Sequence, residues 1–499
     1  MSSMIARGVA PALSTLLAAL LLSACATPAF RQPAIETPAA FREANAPAAE
    51  VDGIDGARWK PARPAETQPR GQWWLAFHDP ALTALVEEAG ANNANLAVAA
   101  SRVKQARAIA GIAAADRVPQ VGVGIGAERA RPSPLASGLP QGTPTRPVTT
   151  YTASLSASYE VDLFGRVAAG VSAARSDAAT IEANYRSVLL ALQADVAQTY
   201  FRLRALDAEL DTVAQAVRLR EESVEVTQRR FDLGDIGEFD LSRARTELAA
   251  ARAEAIGLQR QRATAEHALA VLLGKPAAHY AAGKNPLLDA SALPRIPAGL
   301  PSSLLERRPD INAAQRAMEA ANARIGVARG AMFPALNISA AGGGVGDALS
   351  DVFRWSSRSW VLGLLTSMPI IDGGRNRANI ARSEAVLEES VGAYRQSVLT
   401  AFAEVEDKLA GLRILAGQAG QIDAAVTAAR RSADLAQKLY DAGRSSYLEL
   451  LDAQRNLAAV ERTVVQLRGE RALATVALVR ALGGGWDPDP ADAVALAGH

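Results

Sequence analysis

Apolar positions step by threes and fours through the middle of the chain. They run Leu189, Leu192, Val196, Leu203, Leu206, Leu210, Val213 and Val217, with Thr199 filling the one gap. That 3.5-residue period is the seam of a left-handed coiled coil. A later stretch repeats it more loosely through Val398, Ala401, Val405, Leu412, Leu415, Ile422 and Val426, with Lys408 interrupting the seam. Residues 166–230 hold no proline and, apart from Gly170, no glycine. As one helix they would reach roughly 100 Å at about 1.5 Å per residue. Each long helix runs into a short turn, Asp232-Leu233-Gly234 or Asp441-Ala442-Gly443, beyond which a second helical pattern returns. Glycine suits the left-handed position that ends a helix, so Gly234 and Gly443 mark the tips of two helical hairpins.

Before each coiled coil the period changes. Residues 120–129 (QVGVGIGAER), 151–163, 335–346 and 358–371 alternate small and apolar residues loosely, with Gly and Ser frequent. The pattern predicts membrane β-strands, each about nine to eleven residues long. Residues 130–150, rich in Pro, Gly and Thr, read as the loop between the first two. Tyr151, Tyr159, Trp355 and Trp360 suit interfacial girdles or packed edge positions. Four strands cannot close a barrel, and open edges are not tolerated in lipid, so spanning strands would force oligomerisation. Three chains would supply twelve strands.

The two hairpins are copies. An offset of 209 residues joins Gly165 to Gly374, Arg166 to Arg375, Tyr185 to Tyr394, Gly234 to Gly443, Leu241 to Leu450 and Gly274 to Gly483 without a gap. Upstream the offset becomes 215, as from Pro119 to Pro334. One long unit has been duplicated in tandem, far longer than a solenoid repeat. The expected organisation is a first repeat over 71–275, an inter-repeat equatorial segment over 276–308, a second repeat over 309–483 and a tail over 484–499.

The start of the chain differs in kind. Residues 1–24 carry Arg7 and then an apolar run too short to span comfortably, which reads as a signal peptide. It ends in Leu22-Ser23-Ala24-Cys25, which resembles the bacterial lipobox and implies cleavage before Cys25 and lipid on its sulfur. Residues 25–70, rich in Pro and Ala, read as an extended strap. Ala26 after Cys25 fits delivery to the outer membrane under the usual bacterial sorting pattern.

Composition narrows the classes. Lys and Arg number 53 against 52 Asp and Glu, which leaves no basic footprint for nucleic acid. Aromatics are only 5% of the chain, so the core leans on Ala, Leu and Val, as closely packed helices do. The single cysteine excludes a disulfide framework, and the four histidines show no metal-ligand spacing. No phosphate loop or Ser/His/Asp arrangement stands out, so neither an enzyme nor a cofactor is expected.

Four motifs carry a family resemblance. They are Trp73-Trp74 with Phe77, Asp79-Pro80 and Leu82, then Asn95-Leu96; Tyr159-Glu160-Val161-Asp162-Leu163-Phe164-Gly165-Arg166; Arg307-Arg308-Pro309-Asp310-Ile311, running on to Phe333-Pro334; and Pro369-Ile370-Ile371-Asp372-Gly373-Gly374-Arg375. With the lipobox and the duplication, the chain resembles the outer-membrane factors of tripartite efflux pumps, the TolC-like family, in its NodT-type lipoprotein branch. The resemblance implies a mixed α/β membrane protein and a homotrimer. Its 12-stranded outer-membrane β-barrel, four strands per chain, is continued by a long periplasmic α-helical coiled-coil barrel. It implies export of small molecules, docking to a periplasmic adaptor (membrane fusion) protein and an inner-membrane transporter of the resistance–nodulation–division class, and contact with outer-membrane lipid. It also implies a periplasmic gate at the hairpin tips: Glu449 and Asp452 in acid rings, and Asp240 linked to Tyr440. The family's basic residue of the second tip falls on Ser445, a departure, with Arg444 beside it as a candidate replacement. On position alone, Asp240 and Glu449 also suit helix starts, where acids are favoured.

Two other readings fit the same residues. One is the outer channel of a type I protein secretion system. The other is a structural coiled-coil lipoprotein with no pore, which would lack membrane strands.

Overall fold

The computed structural model describes residues 28–35, 37–43, 72–138, 140–287, 293–294 and 301–484, with the backbone alone at 301–303. The expected signal peptide, Cys25, most of the strap and nearly all of the tail lie outside the described residues. A short 3-10 turn (Trp73–Phe77) leads into α1 (Pro80–Asn92) and α2 (Ala94–Ala115). The strands β1 (Gln120–Ala130) and β2 (Val148–Val161) follow, then the hairpin α3 (Arg166–Asp232) and α4 (Glu238–Leu272). The second half repeats this order with α5 (Pro301–Arg307), α6 (Pro309–Gly330), β3 (Ala335–Gly346), β4 (Arg358–Ser367), α7 (Arg375–Asp441) and α8 (Tyr447–Ala481). The duplication is kept in lengths: α3 and α7 have 67 residues each, and α4 and α8 have 35 each. Among the described residues no helix is long and apolar enough to cross a membrane.

The described residues divide into two units, those within 1–33, 102–182 and 313–394, and those within 34–101, 183–312 and 395–499. The first holds the sheet, which is antiparallel in the order β1-β2-β3-β4. β2 begins at Val148, earlier than its sequence pattern suggests, because Val148 to Thr150 pair with Ala130 to Glu128. β4 ends at Ser367 rather than near 371, since Pro369 brings no N–H to continue a ladder.

Register sorts the side chains onto two faces. Val121, Val123 and Ile125 stand opposite Ala157, Leu155 and Ala153. Those in turn stand opposite Ala340, Gly342 and Gly344, and Tyr159 opposite Ile338. Ile338, Ala340 and Gly342 pair with Leu364, Leu362 and Trp360. Directly paired residues share a face, so this face is apolar. The other carries Gly122, Gly124, Gly126, Thr152, Ser154, Ser156, Ser158, Asn337 and Ser339, with Val345, Val361 and Leu365 toward the β4 side. The apolar face is bare: Val123 is 76% exposed, Ile125 78% and Trp360 82%.

At the strand-to-helix junctions, Gly165 (φ 74°) and Gly374 (φ 87°) turn the chain in the left-handed region, and Arg166 and Arg375 begin α3 and α7. Asp162 accepts from the amides of Val167 and Ala168 at 3.1 and 2.7 Å, and Asp372 from Gly374 and Asn376 at 2.9 Å each. These carboxylates take up amides that a helix start leaves unpaired. Arg166 donates to Glu160, and Phe164 stacks on Phe333 at 4.9 Å.

In the second unit the coiled-coil seam is the core. Leu192, Val196, Leu203, Leu206 and Val213 are buried, packed with Trp73, Trp74, Phe77, Phe201, Leu269 and Val476. The α7 seam is buried at Val398, Ala401 and Val405 and only half-buried from Leu412 to Val426. Asp79 caps α1 with one carboxylate oxygen; the other accepts from Tyr200 and Arg204, both at 2.8 Å. Burial, and then that bond to Asp79, push the Tyr200 hydroxyl above its usual range. In the Arg-Arg-Pro-Asp-Ile motif, buried Arg308 reaches Asp310 and Glu404 at 2.6 Å and the Ala481 carbonyl at 3.0 Å.

Candidate functional site at the hairpin tips

Both tips close by the same hydrogen bonds. Asp235 N donates to Arg230 O at 2.9 Å and Gly234 N to Phe231 O at 2.9 Å; Arg444 N donates to Leu439 O at 2.8 Å and Gly443 N to Tyr440 O at 2.9 Å. This pairing, with Gly234 at φ 75° and Gly443 at φ 67°, is a helix ended by a left-handed residue. Side chains repeat it. Gln228 donates to Asp232 at 2.8 Å and Gln437 to Asp441 at 2.8 Å. Arg245 donates to Gln228 at 2.7 Å, and Gln454 to Gln437 at 3.4 Å. Higher on each hairpin, Arg252 pairs with Glu221 while Arg430 pairs with Glu461, at equivalent positions with the charges exchanged.

The tips then differ. Ser446 accepts from the Glu449 amide while Glu449 accepts from the Ser446 amide, a capping box on α8. At the equivalent start of α4 the cap is Gly237, which has no side chain to offer. Asp240, the counterpart of Glu449, is half-buried in the first turn of α4 and its carboxylate makes no hydrogen bond among the described residues.

The hairpins are laced together. Arg455 of α8 donates to Glu247 of α4 through two nitrogens, one at 3.0 Å. One heptad on, Arg462 reaches Glu209 and Glu254, and Gln466 donates to Glu209 at 2.8 Å. The hydrogen bond from Arg455 draws the Glu247 carboxyl below its usual value. At the tip, Arg230 donates through Nε to Asp235 at 2.6 Å and through Nη1 to the Tyr440 hydroxyl at 2.7 Å. Its guanidinium lies 5.4 Å from the Tyr440 ring centre. The Tyr440 and Tyr447 rings are 6.0 Å apart, and the Tyr447 hydroxyl bonds Ser223 at 3.0 Å.

The sequence reading links Tyr440 to Asp240. Within the chain the Tyr440 hydroxyl is bonded to Arg230 instead, and Asp240 is not its partner. Glu449 sits in its capping box, and Asp452, exposed, lies 3.7 Å from Arg455. Arg444 is exposed, with no side-chain bond among the described residues, and the Ser445 hydroxyl is buried without a partner. Arg230, Ser223 and Tyr447 were missed by sequence reasoning. The signal was available: Ser223 and Arg230 stand one heptad apart, as do Tyr440 and Tyr447.

Comparison with known proteins agrees with this architecture. The family model described as "Outer membrane efflux protein" matches residues 85–275 and 300–484, more than half of the chain. The chain is 34% identical over 435 residues to the probable efflux pump outer membrane protein TtgC of Pseudomonas putida, covering 86% of this chain and 89% of that one. It is 34% identical over 479 residues to the outer membrane protein OprJ of Pseudomonas aeruginosa, covering 95% and 96%. Among solved structures, the OprN outer-membrane channel aligns with TM-score 0.80 at 28% identity over 93% of this chain and 100% of that one. The MtrE outer membrane channel of Neisseria gonorrhoeae, solved in its open state, aligns with TM-score 0.77 at 26% identity over 92% and 98%. A duplicated helical hairpin, a four-stranded sheet with a bare apolar face, and relatives matched over nearly their whole length place this chain in the outer membrane efflux protein family, as an efflux channel of the outer membrane.

Proposed function

We propose that three copies of the chain close one twelve-stranded barrel through the outer membrane and that their helical hairpins line a periplasmic conduit gated at the tips. The observation that carries this reading is the sheet: its apolar face is bare, its other face is small and polar across β1 and β2, and β1 and β4 are both open edges. Pairing β4 of one chain with β1 of the next removes every edge, as lipid demands. The apolar face then meets lipid and the Gly/Ser face meets water. The protein does no chemistry of its own. It passes small molecules delivered by a periplasmic adaptor and an inner-membrane transporter of the resistance–nodulation–division class. Cys25, outside the described residues, carries the lipid that anchors the strap.

The gate is the set of tip residues: Asp240, Tyr440, Arg444, Glu449 and Asp452, with Gly234 and Gly443 shaping the turns. On a threefold axis, like charges of the acids repel at close range, so the ring is stable only hydrated or holding cations. Opening is a change in hairpin packing, selected by whichever partner binds the open form better.

Single-channel currents of the purified protein in a planar bilayer test this, beside the Asp240→Ala, Tyr440→Phe double variant. Small wild-type currents that rise in the variant are expected. Equal currents in both would keep the channel and remove the gate from the tips, and no current from either would remove the channel. Conversion of Cys25→Ser to a form that no longer incorporates labelled palmitate tests the anchor.

A further inference from the structure

We propose that Arg230 is the clasp that holds the second hairpin tip against the first in the closed channel, with the Tyr440 hydroxyl as its acceptor. This rests on the reading of the tips as the gate and names the cation that works it.

An arginine paired only with Asp235 would be a local brace of the first turn. Arg230 does more, because its fork of donors serves two directions at once. Nε stays with Asp235 at 2.6 Å, while Nη1 crosses to the other hairpin and meets Tyr440 at 2.7 Å. The guanidinium also lies within cation–π range of the Tyr440 ring, 5.4 Å from its centre. One heptad back on α3, Ser223 bonds the Tyr447 hydroxyl at 3.0 Å. One face of α3 therefore grips two neighbouring tyrosines of the second hairpin.

The grip has a direction. At the 209-residue offset, Leu439 stands in the place of Arg230, and Phe231 and Glu238 stand in the places of Tyr440 and Tyr447. The second hairpin lacks the cation, and the first lacks the tyrosine hydroxyls, that would return the contact. At the second tip Lys438 is paired with Asp434, and Arg444 is exposed with no side-chain bond among the described residues. Release of Tyr440 from Arg230 thus loosens the end of the second tip from the first, while Asp235 keeps Arg230 poised to take it back. The lacing by Arg455 and Arg462 further along the hairpins is untouched by that step.

The test uses the full-length protein in planar bilayers and compares Arg230→Gln, Arg230→Lys, Tyr440→Phe and the Arg230→Gln, Tyr440→Phe pair. The expected result is a rise of roughly 10-fold in open occupancy for Arg230→Gln and for Tyr440→Phe, the shift that about 1.4 kcal/mol produces. The pair should open no further than either single change, because both remove one contact. Arg230→Lys, which keeps a charged donor, should stay mostly closed, and the melting temperature of the assembled protein should hold in all four. Additive effects in the pair, or opening matched by a general loss of melting temperature, would overturn the clasp. Asp240→Ala and Asp452→Ala separate the two levels. If they open the channel while Arg230→Gln does not, the gate stands and the clasp falls. If no tip variant changes the current, the gate reading itself falls.

Discussion

Glu247 holds the hairpins together in its charged form, so its protonation should loosen them. The hydrogen bond from Arg455 draws its pKa below the usual glutamate value of 4.5. A depressed carboxylate adds stability that is fully present above the unfolded value and is lost as pH falls through the folded one. Glu247→Gln should therefore melt below wild type at neutral pH, by about 1 kcal/mol or less for a partly solvated pair. The gap should close as the medium is acidified below pH 4.5, which paired melts across pH would show. Gly274 makes a second residue-scale case. It sits at φ 71°, and a Cβ there would meet the Asn92 carbonyl oxygen at 2.4 Å. Gly274→Ala should cost about 1–3 kcal/mol, from strain and crowding together, read as a lower melting temperature.

Elements show where duplicated sequence has drifted. The starts of α4 and α8 are equivalent, yet only α8 has a hydroxyl cap and a reciprocal glutamate. Ser446→Ala should cost about 1 kcal/mol and speed amide exchange in the first turn of α8. Gly237→Ser should steady the first turn of α4 by only a few tenths of a kcal/mol, the usual difference between the two residues at a helix cap. Hydrogen exchange at the two tips, read side by side, checks the contrast. The exchanged charges of Glu221–Arg252 and Arg430–Glu461 show the same drift under constraint: either order makes the pair, so only the pairing is kept. The 3.5-residue period was enough to place both long helices, because a helix buries what recurs on one side. The strand bounds were harder to read. Small residues at alternate positions carry little contrast, and the early start of β2 is decided by its partner in β1.

For the whole molecule, the two sheet faces make opposite demands. Val123 lies on the bare apolar face and Ser156 on the small polar one. Val123→Arg should oppose membrane insertion by about 2–4 kcal/mol at mid-depth and reduce assembled protein in the outer-membrane fraction. Ser156→Arg, on the water side, should assemble at close to wild-type yield. Gel mobility of unheated samples distinguishes the two.

The periodicity of apolar residues determined the helices, the offset of 209 residues determined that there are two like hairpins, and the glycines determined where each turns. Those features are written in residue order, so they can be read before any packing is known. Ordered motifs such as Arg307-Arg308-Pro309-Asp310-Ile311 carried the family resemblance, and burial of Arg308 among Asp310, Glu404 and Ala481 supplies their physical reason. What only the tertiary structure decided is which side chains meet. Arg230 finds Tyr440 across 210 positions of sequence, a contact that the expected Asp240 link did not name. Spacing along one chain says which residues share a face of a helix. It cannot say which face of one hairpin meets which face of the other, because that register is settled by packing of the whole seam.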